Sequence, residues 1–101
     1  MMNWSNPLVF NKLSAAFIPE HGGVYAFWSD RNTNGQPIYI GQTSNLRQRF
    51  LQYCDGANDC VSKRANYFSY IPVASQIIRE SMETDFIRRY NPPCNVQHKL
   101  W

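Results

Sequence analysis

The chain is short of cysteine, short of acidic residues and has no long apolar run. Its three cysteines, Cys54, Cys60 and Cys94, are odd in number and follow no repeating spacing, which argues against a disulfide framework. Cys54, Cys60, Cys94 and His98 offer four zinc-binding atoms, but no CxxC or HxxxH pair groups them. Reduced, mostly structural thiols are therefore expected. Nothing approaches the roughly 20 consecutive apolar residues of a membrane span, and no basic segment leads into an apolar run at the start, as a signal peptide requires. A cytoplasmic setting away from membranes is the expectation. Acidic residues number 7 against 10 lysines and arginines, a net charge of +3. That suits a polyanionic partner without selecting one. The cations are skewed along the chain. Arg47, Arg49, Lys63, Arg64, Arg79, Arg88, Arg89 and Lys99 follow Gly41, and only Lys12 and Arg31 precede it.

What the chain does have is enough apolar material for one core. Hydrophobic residues make up 44% of its 101 residues and aromatics 15%. One compact domain over 1–101 is expected. Leu8, Val9, Leu13, Ala16 and Phe17 are spaced for a short helix over 7–17, with Asn6 as N-cap and Pro7 in its first turn. Gly22-Gly23 opens a strand over 24–29. Asn34-Gly35 sits in a polar loop, and Ile38 to Gln42 reads as a second strand, making a hairpin. Helical spacing follows over Leu46 to Tyr53, then a break at 55–58, a third strand over 67–73, and a long helix over 75–90 stopped by Asn91-Pro92-Pro93. The fold class predicted is a small α/β layer structure of α+β type: a three-stranded, mainly antiparallel sheet flanked by helices.

Three segments carry candidate chemistry. The hairpin juxtaposes Gly23-Val24-Tyr25 with Tyr39-Ile40-Gly41. A two-residue turn at Asn34-Gly35 pairs Thr33 with Gln36 and puts Tyr25 and Tyr39 on opposite faces. An odd-length loop or a bulge puts them on the same face. Arg49 stands in the first turns of a helix, where a phosphate suits the N-terminal dipole, and shares a face with Tyr53 four residues on. Glu83 lies in an apolar stripe with Ile78, Met82, Phe86, Ile87 and Tyr90. A carboxylate there needs a partner. Arg79, one turn earlier, is one choice; a hard cation is the other, since Mg²⁺ often takes only one or two protein carboxylates.

In order, Gly23-Val24-Tyr25, Tyr39-Ile40-Gly41, Asn45-Leu46-Arg47-Gln48-Arg49 and Glu83…Phe86-Ile87…Pro92…Asn95 resemble the GIY-YIG endonuclease domain, from about Gly22 to Val96. In motif style the chain resembles the nuclease half of the excinuclease that incises beside a DNA lesion. The resemblance implies DNA phosphodiester hydrolysis with Mg²⁺ or Mn²⁺. It implies Tyr25 and Tyr39 as the motif tyrosines, with Tyr25 as general base and Tyr39 orienting water or phosphate, or the reverse. It makes Arg49 the phosphate contact, Tyr53 a further site residue, Glu83 the single carboxylate ligand and Asn95 a supporting residue. It also favours the register that puts both tyrosines on one face. Two departures stand out: the 13 residues from Ala26 to Ile38 are slightly more than usual, and Gln42 replaces a common Lys, which implies weakened activity or a shifted pH dependence. Gln42, Arg47, Lys63 and Arg64 are the remaining candidate DNA contacts. A specificity-conferring protein partner or self-association is expected as well. The rival reading is a non-catalytic nucleic-acid-binding module that keeps the fold, with Lys63-Arg64 beside Tyr67 and Phe68 tracking and stacking on a strand.

Overall fold

The computed structural model describes residues 3–96; His98, Lys99 and the extreme ends of the expected 1–101 domain lie outside the described residues. One antiparallel sheet runs in the order β1-β4-β2-β3, with β1 at Leu8–Val9, β2 at Gly23–Trp28, β3 at Tyr39–Thr43 and β4 at Tyr67–Pro72. Helices α1 (Leu46–Cys54), α2 (Asp59–Arg64), α3 (Gln76–Tyr90) and α4 (Pro93–Val96) surround it.

β2 is central and buried at every residue, which is why Gly-Val-Tyr-Ala-Phe-Trp is almost continuously apolar. Its alternation feeds two cores. Tyr25 and Phe27 pack with Leu46, Phe50, Tyr53, Val61 and Phe68 under α1 and α2. Val24, Ala26 and Trp28 pack with Ile40, Met82, Phe86 and Ile87 under α3. The Trp28 indole N–H donates to Ser69 Oγ at 2.8 Å, so the largest buried ring leaves no polar group unpaired.

Several expectations are corrected. The sheet has four strands rather than three, because Leu8 and Val9 pair with Phe68 and Tyr67 of β4. The helix expected over 7–17 is this short strand followed by a 3-10 helix, Lys12–Phe17, whose cap is Asn11 rather than Asn6. Leu13 and Phe17 are 83% and 71% exposed, so the apolar spacing there was not a buried stripe. Asn34-Gly35 does not form a two-residue hairpin turn. Asp30 and Asn32 accept backbone N–H bonds two residues on, building a long polar loop. The ladder ends at Phe27↔Tyr39, with Tyr25 opposite Gly41, so Tyr25 and Tyr39 share a face. Helix α2, capped by Asn58, was not anticipated. Finally, Cys60 and Cys94 are joined in a disulfide with their Cα atoms 5.7 Å apart, and Cys54 alone is free. Thirty-four residues separate the pair in sequence; α2 and α4 bring them together, which spacing does not reveal.

β3 is an edge strand. The Asn95 side chain covers part of that edge, its Nδ2 donating to Ile40 O at 3.0 Å and its Oδ1 accepting from Ile40 N at 2.9 Å. In effect α4 adds one strand-like rung to the sheet.

Candidate active site

The site is assembled along β3 from both faces of the sheet. On the α1 face, the Tyr25, Tyr39 and Tyr53 rings cluster with centroids 5.7–6.4 Å apart. The two motif glycines make this possible. A methyl at Gly41 would overlap the Tyr25 hydroxyl, so the phenol lies across a bare stretch of β3. A methyl at Gly23 would come within 2.6 Å of Ile71 O and 2.7 Å of Leu46 Cδ1, so glycine lets the start of α1 pack against β2.

Arg49 lies over this cluster. Its guanidinium carbon is 4.8 Å from the centre of the Tyr53 ring. Nε donates to Tyr25 Oη at 3.4 Å and Nη2 to Tyr53 Oη at 3.4 Å, both long, while Nη1 is tied to Gln52 Oε1 at 2.7 Å. The Tyr25 and Tyr53 hydroxyls are 2.9 Å apart. Burial pushes the Tyr25 hydroxyl up to about 12, against the pull of its Tyr53 hydrogen bond and of Arg49. Burial also raises Tyr39 and Tyr53. At Tyr39 the Glu83 carboxylate pushes further upward while Arg49 pulls down.

Glu83 comes from the other layer. α3 packs on the opposite face of the sheet, yet Glu83 reaches the open edge of β3, where its charge acts on Tyr39 and the backbone N–H of Gln42 acts on it. Half-burial raises its pKa, and Glu80 adds to the rise. Arg79, one of the two partners the sequence offered, does not pair with Glu83. Arg79, only 6% exposed, donates to Gln42 Oε1 at 3.0 Å and to the carbonyls of Val73 and Ala74. Ile78, placed in the same stripe by its spacing, is half exposed. Among the described residues no three or more His, Cys, Asp or Glu side chains converge, so no all-protein metal cage is built there. Among the described residues no side-chain cation pairs with the half-buried Glu83; a hard cation that keeps most of its water often takes only one or two protein carboxylates.

The structure thus brings Tyr25, Tyr39, Tyr53 and Arg49 together, with Glu83 and Gln42 at the adjoining edge. Asn95 supports β3 from outside. Arg47 is turned away, its Nε donating to Ile18 O at 2.8 Å and its Nη1 3.6 Å from Glu20. Lys63 and Arg64 are exposed at the end of α2, and the cation that stacks on Tyr67 is Arg31, at 5.4 Å. What the sequence did not reveal is that Arg79 binds Gln42 and the Val73 and Ala74 carbonyls. The one sequence signal for that placement is Gly22, where a Cβ would lie 2.6 Å from the guanidinium.

The profile of the GIY-YIG catalytic domain matches residues 21–96. The chain belongs to the GIY-YIG family. It is 31% identical over 87 residues to UvrABC system protein C of Aquifex aeolicus, and 34% identical over 89 residues to that of Tropheryma whipplei. These alignments cover 81% of this chain but only 15% and 14% of those relatives, so the chain spans about one-seventh of their length. Among solved structures, the magnesium-bound N-terminal endonuclease domain of UvrC from Thermotoga maritima superposes with a TM-score of 0.72 at 27% identity, covering 84% of this chain and 94% of that one. The same domain carrying an asparagine-to-alanine change, bound to its catalytic divalent cation, gives 0.70 at 26% identity over 82% and 91%.

Proposed function

We propose that this chain is a divalent-metal-dependent endonuclease that hydrolyses DNA phosphodiester bonds. The observation that carries the reading is the convergence at the Tyr25–Tyr39–Tyr53 cluster of a cation, Arg49, and a carboxylate, Glu83, that no described side-chain cation pairs with, from opposite sides of the sheet. The magnesium in the Thermotoga maritima domain supports Mg²⁺ or Mn²⁺ as the cofactor. Glu83 would hold it, and when bound such an ion polarises the phosphate and stabilises the leaving oxygen. Arg49 binds the non-bridging oxygens and gains strength as charge builds on them. Tyr25, as its phenolate, takes the proton from the attacking water; Arg49 and the bound cation have to offset the burial that holds its pKa near 12. Support for Tyr25 over Tyr39 comes from their surroundings: Arg49 pulls both down, but the Tyr53 hydroxyl lowers Tyr25 whereas Tyr53 and the Glu83 carboxylate both help Tyr39 keep its proton. Tyr39 then orients water or phosphate, and Tyr53 supports the pair. Gln42 contacts the substrate beside Glu83, and Asn95 holds β3 in place. Lys63 and Arg64 contribute at most non-specific backbone attraction.

A cytoplasmic site of action goes with a DNA substrate, although the Cys60–Cys94 bond is of the kind that persists in oxidising surroundings. Target choice is assigned in this reading to a protein partner or to self-association. The test is nicking of supercoiled plasmid with Mg²⁺ and with EDTA. Cleavage that EDTA abolishes is expected, with Arg49→Ala slower by roughly 10²–10³-fold. Binding without any cleavage favours the non-catalytic module instead.

A further inference from the structure

Among the described residues Arg79 is the one buried charged side chain, and no ion pair there accounts for it. Its Nη1 is held by Val73 O at 3.1 Å and Ala74 O at 2.7 Å, at the junction between β4 and α3, and Gly22 leaves room for it. Its Nε points at the Gln42 amide, 3.0 Å away. Arginine has five N–H donors and no acceptor. The atom of Gln42 that faces it is therefore the oxygen, and the amide NH₂ is turned outward. Among the described residues that nitrogen has no acceptor, and since no buried side-chain nitrogen or oxygen is left unpaired, it meets solvent. Gln42 sits next to Gly41, across which Tyr25 lies, and its backbone N–H acts on Glu83. An unpaired N–H donor of fixed orientation at that spot matches an anionic oxygen.

We infer that Arg79 is a positioning residue: by fixing the Gln42 amide with its oxygen inward, it presents the Gln42 NH₂ to a phosphate oxygen of the nucleic acid at the Glu83 edge of β3. The inference rests on the proposed DNA substrate. It requires a neutral acceptor at position 42. A lysine there would set two cations against each other beside a buried guanidinium, whereas Gln42→Glu keeps an acceptor for Arg79, replaces the outward donor with an acceptor and adds a negative charge beside Glu83.

The test is a double-mutant cycle read by fluorescence anisotropy on a labelled DNA duplex in EDTA, so that no cleavage intervenes. Gln42→Glu should melt at or above the wild-type temperature yet bind DNA roughly ten- to a hundredfold more weakly. Arg79→Lys, which loses the directed Nε contact, should weaken binding in the Gln42 background and add nothing in the Gln42→Ala background. A merely structural role for Arg79 gives equal losses in both backgrounds and overturns the inference, as does wild-type affinity in Gln42→Glu. A wild-type protein that binds no DNA overturns both this inference and the proposed function. One that binds but never cleaves with Mg²⁺ overturns the nuclease reading alone.

Discussion

Tyr53 and Tyr25 share a buried hydroxyl–hydroxyl hydrogen bond of 2.9 Å, and it lowers the pKa of Tyr25. With Arg49 approaching the same oxygen, Tyr25 is the phenol whose ionised form is best supported. Tyr53→Phe removes one of the two donors and leaves the ring packing intact. Cleavage should slow about tenfold, the worth of one such hydrogen bond, with little change in DNA affinity. An unchanged single-turnover rate would separate Tyr53 from the chemistry.

The same burial makes the fold sensitive to alkali. Tyr25 ordinarily ionises near 10 and in the native protein is pushed up to about 12. A pKa raised by folding means that the native state holds its proton more tightly than the unfolded state does. That contribution to stability is complete below pH 10 and is lost as pH climbs toward 12. Tyr39 and Tyr53 are raised in the same direction. Urea midpoints should fall between about pH 9 and about pH 11.5, and fall less in Tyr25→Phe. A midpoint flat across that range contradicts the burial of these hydroxyls.

Gly41 sits directly opposite Tyr25 in the β2–β3 ladder, and the phenol occupies the space a side chain would need. Gly41→Ala should displace Tyr25 and cost on the order of 10² in rate, the scale of a misplacement of about 1 Å. Gly35→Ala is the control, because the nearest atom there, Asn32 O, lies 3.5 Å away. Rate assays on the two variants should diverge; equal rates would remove the packing argument for the motif glycine.

Asn95→Ala deletes both bonds to Ile40 and leaves a β3 N–H and C=O to find water at a half-covered edge. A loss of about 1–3 kcal/mol in denaturant stability is expected. Cleavage should fall as well, since Tyr39 and Gly41 flank Ile40. Full stability would show that α4 does not brace the strand.

Much of this was legible in the chain. Burial on both sides marks β2 in its unbroken apolar run, and the long α3 helix shows in its length and its double-proline stop. The motif residues locate the tyrosines and Arg49 because the sheet ladder and helix period fix where their side chains point. Other features depend on long-range geometry and left no local mark. Leu8-Val9 reads as a helix until β4 offers it an edge. Asn34-Gly35 favours a tight turn, but the Asp30 and Asn32 side chains capture the loop backbone first. Arg79 was one of two partners that spacing offered Glu83, yet the carbonyls of Val73 and Ala74 and the Gln42 amide satisfy it. That vacancy is what leaves Glu83 available.

Glu83 is therefore the sharpest point to probe. Its carboxylate is raised by burial, so its ionised form burdens the fold at neutral pH. Without metal, Glu83→Gln should melt at a higher temperature than wild type. With metal, the wild type alone should gain stability. The most direct measurement is anomalous diffraction from crystals grown with Mn²⁺. A peak at the Glu83 carboxylate, on the side facing the Tyr39 hydroxyl and Arg49, and absent from Glu83→Gln crystals, is expected. A peak elsewhere on the chain, or one that survives the substitution, would contradict the account.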